Sequence, residues 1–153
     1  MHRRDLLVAG GSAFLAGHAN ARAQPAGAAE LSLNTGDVME GSDLVERAVM
    51  AFNANDAESF AAVFADDGVM VEYPDRVVAR GRDAVQLYIG GLFTAFPGAM
   101  VALIHRADLG RRQITHERFD RKDGSAPYEA GLIYTLSERG VERMDFVREV
   151  RST

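Results

Sequence analysis

Between Phe52 and Pro97 the chain changes character several times, and each change carries its own punctuation. The run reads FNANDAESFAAVFADDGVMVEYPDRVVARGRDAVQLYIGGLFTAFP. Before it, Leu44, Val45, Ala48, Val49 and Phe52 recur at helical spacing behind Ser42 or Asp43, either of which can cap a helix. Asn53-Ala54-Asn55-Asp56 breaks that helix, and Asp56 can cap a second, short one with Phe60, Val63 and Phe64 inward. Asp66-Asp67-Gly68 is expected to end it. Val69 to Tyr73 is rich in β-branched residues and reads as a strand, turned by Pro74-Asp75. Gly81 then precedes a third helix over roughly Asp83 to Phe96. Its apolar residues Val85, Leu87, Tyr88, Leu92, Phe93 and Phe96 form a broad face. Gly90-Gly91 weaken that helix by about 1 kcal/mol each relative to alanine, and close packing or a kink would account for them.

After Pro97-Gly98 the period changes to that of strands. Met100–Leu109, Arg112–Asp120, Tyr128–Ser137 and Val141–Val150 are separated by Gly110, by Lys122-Asp123-Gly124 and by Glu138-Arg139-Gly140, which are hairpin signals. The sum is an α+β chain, α-α-β-α followed by a four-strand antiparallel meander. This order resembles the SnoaL-like branch of the nuclear transport factor 2-like (NTF2-like) superfamily. The segments FADDG and GRDAV and the Phe96-Pro97 pair carry the resemblance, which spans roughly Leu44 to Glu149. It implies a cone in which a curved sheet wraps on helices around one deep pocket, and a homodimer formed sheet to sheet. Thr115, Glu117, Phe119 and Tyr128 or Thr135 would then supply the dimer's outer faces.

A chain of 153 residues fits one such domain. Its formal net charge is -5, and residues 1–23 contain three arginines and one aspartate, so a chain lacking them carries -7. An acidic chain without a basic stripe argues against nucleic acid and anionic membrane surfaces as partners. With no cysteine, disulfides, thiolate catalysis and cysteine-ligated metals are excluded. Arg3-Arg4 precede a short apolar core, Leu6 to Ala16, and Ala21-Arg22-Ala23 offers a small-x-small cleavage site. The string HRRDLLVAG resembles a twin-arginine export signal. Residues 1–23 are therefore expected to be an export signal of a bacterial protein, 24–41 a flexible arm, and 42–150 the domain. The expected location is periplasmic or secreted, with no membrane contact in the mature form.

The strand from Gln113 to Asp120 is unusual because neither face is apolar. Ile114, His116, Arg118 and Asp120 share one face, and Gln113, Thr115, Glu117 and Phe119 the other. Periodicity alone leaves open which face points inward. HERFD, His116 to Asp120, resembles the corresponding strand of limonene-epoxide-hydrolase-like members, where an Arg-x-Asp pair enters the pocket. The resemblance implies that Arg118 and Asp120 face inward, with His116 as an auxiliary proton carrier. A satisfied ion pair on a sheet face is the other reading. The second catalytic aspartate of those members falls at Phe146, next to Asp145, so epoxide hydrolysis is not supported. Glu72, just before Tyr73-Pro74, stands where ketosteroid-isomerase-like members hold a proton-shuttling carboxylate. The positions of their oxyanion-binding groups carry Ala48 and Leu132. A solvated strand-end charge is the alternative for Glu72.

Met70, Met144 and Phe146 read as pocket lining suited to a small apolar molecule. His105 and His116 form no recognisable metal set, and no Gly-rich phosphate loop follows a strand, so neither a metal nor a cofactor is expected. Three functions stay open. One is cofactor-free acid–base chemistry (isomerisation, hydration or cyclisation) using Glu72, Arg118, Asp120 and His116. Another is a non-catalytic module that binds a ligand or a partner protein. The third is a scaffold that works through its exposed sheet.

Overall fold

The computed structural model describes residues 43–148. The expected export signal, the arm and the last residues of the domain lie outside them. Helix α1 covers 43–53; α2 is Ala57–Ala62, β1 Phe64–Glu72, β2 Arg76–Arg80 and α3 Arg82–Ala95. Strands β3 (Met100–Leu109), β4 (Arg112–Asp120), β5 (Tyr128–Ser137) and β6 (Gly140–Arg148) follow. They form one six-stranded sheet in the order β2-β1-β6-β5-β4-β3. All neighbours are antiparallel except β1 and β6, which are parallel. The fold is the α+β cone with a curved, open sheet wrapped on helices.

Strand β2 and the segment after α2 differ from the sequence reading. Strand β2 is an additional strand, paired with β1 from Val69↔Arg80 to Glu72↔Arg76. Its residues RVVAR are short and half charged, with only Ala79 buried, so periodicity gave them no signature. Ala65-Asp66-Asp67-Gly68 does not end a helix but bulges out of β1. The six residues of β1 from Phe64 to Val69 face the short span Val141 to Arg143 of β6. Gly68 permits this, because a Cβ there would lie 2.6 Å from the Val141 carbonyl oxygen. Gly140 faces the same constraint at the facing turn, with φ +116 and the Val63 oxygen at 2.6 Å from a hypothetical Cβ.

The Asn-Ala-Asn-Asp segment does more than stop α1. Asp56 caps α2 by accepting the Ser59 N–H at 3.0 Å. Asn55 adopts φ +53 and donates to the Ala99 carbonyl at 3.2 Å. The Asn53 amide exchanges two hydrogen bonds with the backbone of Val101, at 2.9 and 2.7 Å, and so behaves like a strand partner for β3. This ties the end of α1 to the mouth of the sheet.

The core lies between helices and sheet. Val45, Ala48 and Phe52 of α1 and Val85, Ile89 and Phe93 of α3 are buried against Leu132, Tyr134, Val141 and Met144. Phe52 meets Phe60, Phe93 and Phe119 edge to face, with centroids 6.3, 5.1 and 5.9 Å apart. Such pairs add about 0.5–1.5 kcal/mol each beyond area burial. Leu87, expected on the inner face of α3, is instead exposed. A Cβ at Gly90 would meet the Ala57 Cβ of α2 at 3.8 Å, an ordinary contact, so close helix packing does not account for that glycine.

Candidate functional site

A cavity of about 280 Å³ opens between the helices and the concave face of the sheet. Its walls are mainly apolar. Met70, Met144 and Phe146 line it, together with Phe52, Leu92 and Phe119. Polar side chains occur in two places, one at the floor and one at the rim.

The floor is built by β4 and β5. Pairing Glu117↔Ala130, Thr115↔Leu132 and Gln113↔Tyr134 puts these residues on the face that β5 buries. Glu117 is 2% exposed and lines the cavity. Thr115 Oγ1 donates to Glu117 Oε1 at 2.7 Å, and the Tyr134 hydroxyl approaches the same oxygen at 3.5 Å. Oε2 has no hydrogen-bond partner among the described residues, and no cation pairs with the group. Burial therefore lifts the carboxyl above the ordinary glutamate range, against the opposing pull of the two hydroxyls. Tyr134 is itself buried. Desolvation first, and then the neighbouring carboxylate, hold its phenol well above the ordinary tyrosine range, so it stays a donor.

The rim is built by the ends of β1, β2, β4 and β6. Glu72 accepts from Arg148 at 3.0 Å and from Arg76. The Arg148 hydrogen bond and the Arg76 charge hold its carboxyl below the ordinary range. Asp120 also lines the cavity, but its carboxylate caps the following turn. It accepts from the Lys122 N–H at 2.9 Å and pairs with Lys122 Nζ at 2.8 Å. Arg121, just beyond β4, lays its guanidinium 5.0 Å from the Phe96 ring centroid and 5.3 Å from that of Tyr128.

The structure corrects the expected facing of β4. Arg118 and His116 are on the outer face, away from the cavity, because β5 buries Ala130, Leu132 and Tyr134, and pairing carries that face across to Gln113, Thr115 and Glu117. Arg118 is exposed. His116 Nε2 lies 2.8 Å from Glu129 Oε2, and its ring stacks on His105 at 5.8 Å. Thr115, Glu117 and Phe119, expected on an outer dimer face, point inward. Glu72 and Asp120 reach the rim without Arg118, so the three do not converge. Asp145 lies on the outer face, gripped by Arg143 at 2.7–3.0 Å. Glu117, Tyr134 and Arg121 were not among the expected site residues. The clean alternation of β5, extended through the hairpin to β4, was the signal for the first two. Among the described residues no group of three His, Asp or Glu side chains is placed to hold a metal ion.

No curated protein matches the chain. Among solved structures it is similar to an uncharacterized cystatin-fold protein from Novosphingobium aromaticivorans, with 20% identity, 69% of this chain and 96% of that one covered, and a TM-score of 0.64. A protein from Sphaerobacter thermophilus is 26% identical, with 71% and 94% covered and a TM-score of 0.60. A proposed SnoaL-like polyketide cyclase from Jannaschia is 13% identical, with 72% and 86% covered and a TM-score of 0.63. The family model of the SnoaL-like domain matches residues 45–147, which contain both strands of the floor and all of the rim up to Val147. With all but the ends of its helices, sheet and cavity inside that match, the chain belongs to the SnoaL-like domain family.

Proposed function

We propose that the protein performs cofactor-free proton transfer on a small, largely apolar substrate, as an isomerase or cyclase, with Glu117 as the proton carrier. The observation that carries this is a carboxyl buried in an apolar cavity with hydroxyl neighbours and no cation. Such a group takes and returns a proton more readily near neutral pH than a solvated one. In the ionised form, Oε2 is available to remove a proton from a carbon next to a carbonyl. Tyr134, held protonated, can donate to the oxygen on which enolate charge develops; aimed donors of this kind often supply the larger catalytic term. Glu117 then returns the proton to another carbon, or the enolate carbon adds to a second carbonyl of the substrate, whose C=O π bond breaks as the carbon–carbon bond forms, and Glu117 returns the proton to the alkoxide so produced. Glu72 is a poorer base, because two guanidiniums stabilise its ionised form. The likeness to a proposed polyketide cyclase supports substrates with such acidic C–H bonds.

The test begins with ligands co-purified from the native source and identified by mass spectrometry. Each is then incubated in D2O with wild type and with Glu117→Gln. Deuterium uptake or conversion by wild type, lost in the variant, supports the reading. If a bound ligand neither exchanges nor reacts in the wild type, the protein is a binding module and not an enzyme.

The proposal extends to location and assembly. Arg3-Arg4 and Ala21-Arg22-Ala23 support export and cleavage before Gln24, which N-terminal sequencing of the secreted product tests. Exposed Ile114 and Leu109 on the sheet support a homodimer through its outer face. A purely monomeric species at micromolar concentration would contradict it.

A further inference from the structure

We propose that Arg121 anchors an anionic group of the ligand at the cavity rim, so that the substrate class is an amphipathic organic acid whose apolar body points inward. This rests on the reading of the cavity as a small-molecule site and adds to it the chemistry of the ligand's outer end.

Four guanidiniums have no ion pair among the described residues: Arg80, Arg112, Arg118 and Arg121. The first three are exposed, as surface arginines commonly are; Arg121 is half-buried and lines the cavity. Phe96 and Tyr128 hold its plane by cation–π contact. These contacts fix the group without using its N–H donors, and no described side chain accepts from them. Asp123, two residues on, feels the charge but commits Oδ1 to Ser125 N and Oγ. An arginine fork positioned in this way matches a carboxylate, which can accept two parallel hydrogen bonds.

The charges around it point the same way. Three cations line the rim, Arg76, Arg121 and Arg148, against two carboxylates, Glu72 and Asp120. Glu72 is already shared by Arg76 and Arg148, and Asp120 is taken by Lys122. The mouth is thus cationic in a chain of net charge -5, which favours capture of anions there. The floor imposes the opposite preference. A ligand carboxylate beside Glu117 would be desolvated with a like neighbour, so the charged end stays outside. Glu117, Phe119 and Arg121 alternate along the chain, and four residues of strand span about 13 Å. That distance accommodates an apolar body lying over Phe119 between the anchor and the proton carrier.

The experiment uses 2-naphthoate and 2-naphthamide, which share one aromatic body and differ in charge. The chain has no tryptophan, so naphthalene fluorescence reports binding directly. Wild type is expected to bind naphthoate about tenfold or more tightly than naphthamide. Arg121→Gln should remove that preference by weakening naphthoate alone, and Arg121→Lys should restore part of it. Arg118→Gln, on the outer face, should change neither. Equal affinity of wild type for the two probes, or an equal loss of both in Arg121→Gln, overturns the anion anchor while leaving the cavity reading intact. If neither probe binds wild type, the small-molecule reading itself fails.

Discussion

Two glutamates line one cavity and have opposite protonation tendencies. Glu117 at the floor is 2% exposed, with hydroxyl neighbours and no cation paired to it among the described residues; its carboxyl is pushed up by burial. Glu72 at the rim has a side chain 29% exposed and gripped by two arginines; its carboxyl is held down. Residue type and cavity are the same, so the surroundings decide. Water and guanidinium stabilise the ionised form, whereas an apolar wall with neutral donors stabilises the protonated form. A proton carrier must exchange between both forms near working pH, and only the floor glutamate is placed to do so. The rim glutamate has a different use, as a shared counter-charge that positions Arg76 and Arg148.

The largest expected effect separates the two directly. Glu117→Gln should lower the rate of deuterium exchange or conversion by about 10²–10⁴-fold, the usual share of a positioned acid–base group. Glu72→Gln should lower it by less than about tenfold. Comparable losses would abolish the distinction between floor and rim. Stability gives an independent reading of the same contrast. The folded state holds the Glu117 proton more tightly than the unfolded chain does. Its contribution to stability is therefore full below the ordinary glutamate value of 4.5. It is lost as pH rises from there through the raised folded value. Glu117→Gln, neutral at every pH, should lack that decline. Urea melts of both proteins from pH 4 to 8 would show it, and parallel curves would mean that Glu117 ionises in the fold as easily as in the unfolded chain.

Phe119 is the wall between floor and rim, and removing it should make the two carboxylates more alike. It stacks on Tyr128 at 5.5 Å and meets Phe52 and Phe146 edge to face at 5.9 and 5.5 Å. Phe119→Ala should cost about 2 kcal/mol, below the 3–5 expected for a fully buried phenylalanine, since the residue is half-buried. Water admitted through the gap should move the Glu117 carboxyl back toward 4.5, which side-chain carboxyl NMR can follow. An unchanged Glu117 titration would show that Phe119 does not keep the floor dry.

The order of helices and strands was legible because its signals are local. Asp56 caps α2, Gly81 precedes α3, and the hairpins after Leu109 and Ser137 fall at Gly110 and Gly140. Met70, Met144 and Phe146, named from the sequence for their apolar and adaptable side chains, do line the cavity, although β1 shows no alternation there, since Val69, Met70 and Val71 are all buried. Strand β2 was not legible, because a half-charged edge strand has no period to read. The facing of β4 was the costly case. Each of its faces mixes charged and apolar residues, and resemblance to an Arg-x-Asp pair chose Arg118 and Asp120. The information sat in the neighbouring strand, where Ala130, Leu132, Tyr134 and Leu136 are buried in strict alternation. Pairing carries that alternation into β4, and a one-residue shift reverses every side chain. Arg121 was illegible for another reason. Its contacts bring Tyr128, at the start of the next strand, together with Phe96 at the end of α3, which is distant in sequence.

Thr115 allows a finer test of the floor. Its hydroxyl stabilises the ionised Glu117 through the 2.7 Å hydrogen bond. Thr115→Val removes that donor with little change of volume, so the Glu117 carboxyl should rise further and the acid limb of the pH–rate profile should move to higher pH. At neutral pH the rate should fall several-fold, while at high pH it should recover most of the wild-type value. A uniform loss at all pH values would instead assign Thr115 to packing.

The smallest effect belongs to the rim. Glu72→Gln leaves Arg76 and Arg148 exposed enough to be hydrated, so the melting temperature at pH 7 should hardly change, as for most exposed ion pairs. What stability the carboxylate adds is present above the ordinary value of 4.5 and lost as pH falls through its depressed folded value. Wild type and variant should therefore converge at low pH, the reverse of the Glu117 pair, whose difference opens as pH rises. Ligand binding should respond more clearly than stability. Removing a negative charge from a rim that already carries Arg76, Arg121 and Arg148 should tighten 2-naphthoate by about two- to threefold, and more so at low salt. Naphthamide should be unaffected. If Glu72→Gln weakened naphthoate instead, the glutamate would act mainly by holding Arg76 and Arg148 in place, and the rim would depend on its geometry more than on its net charge.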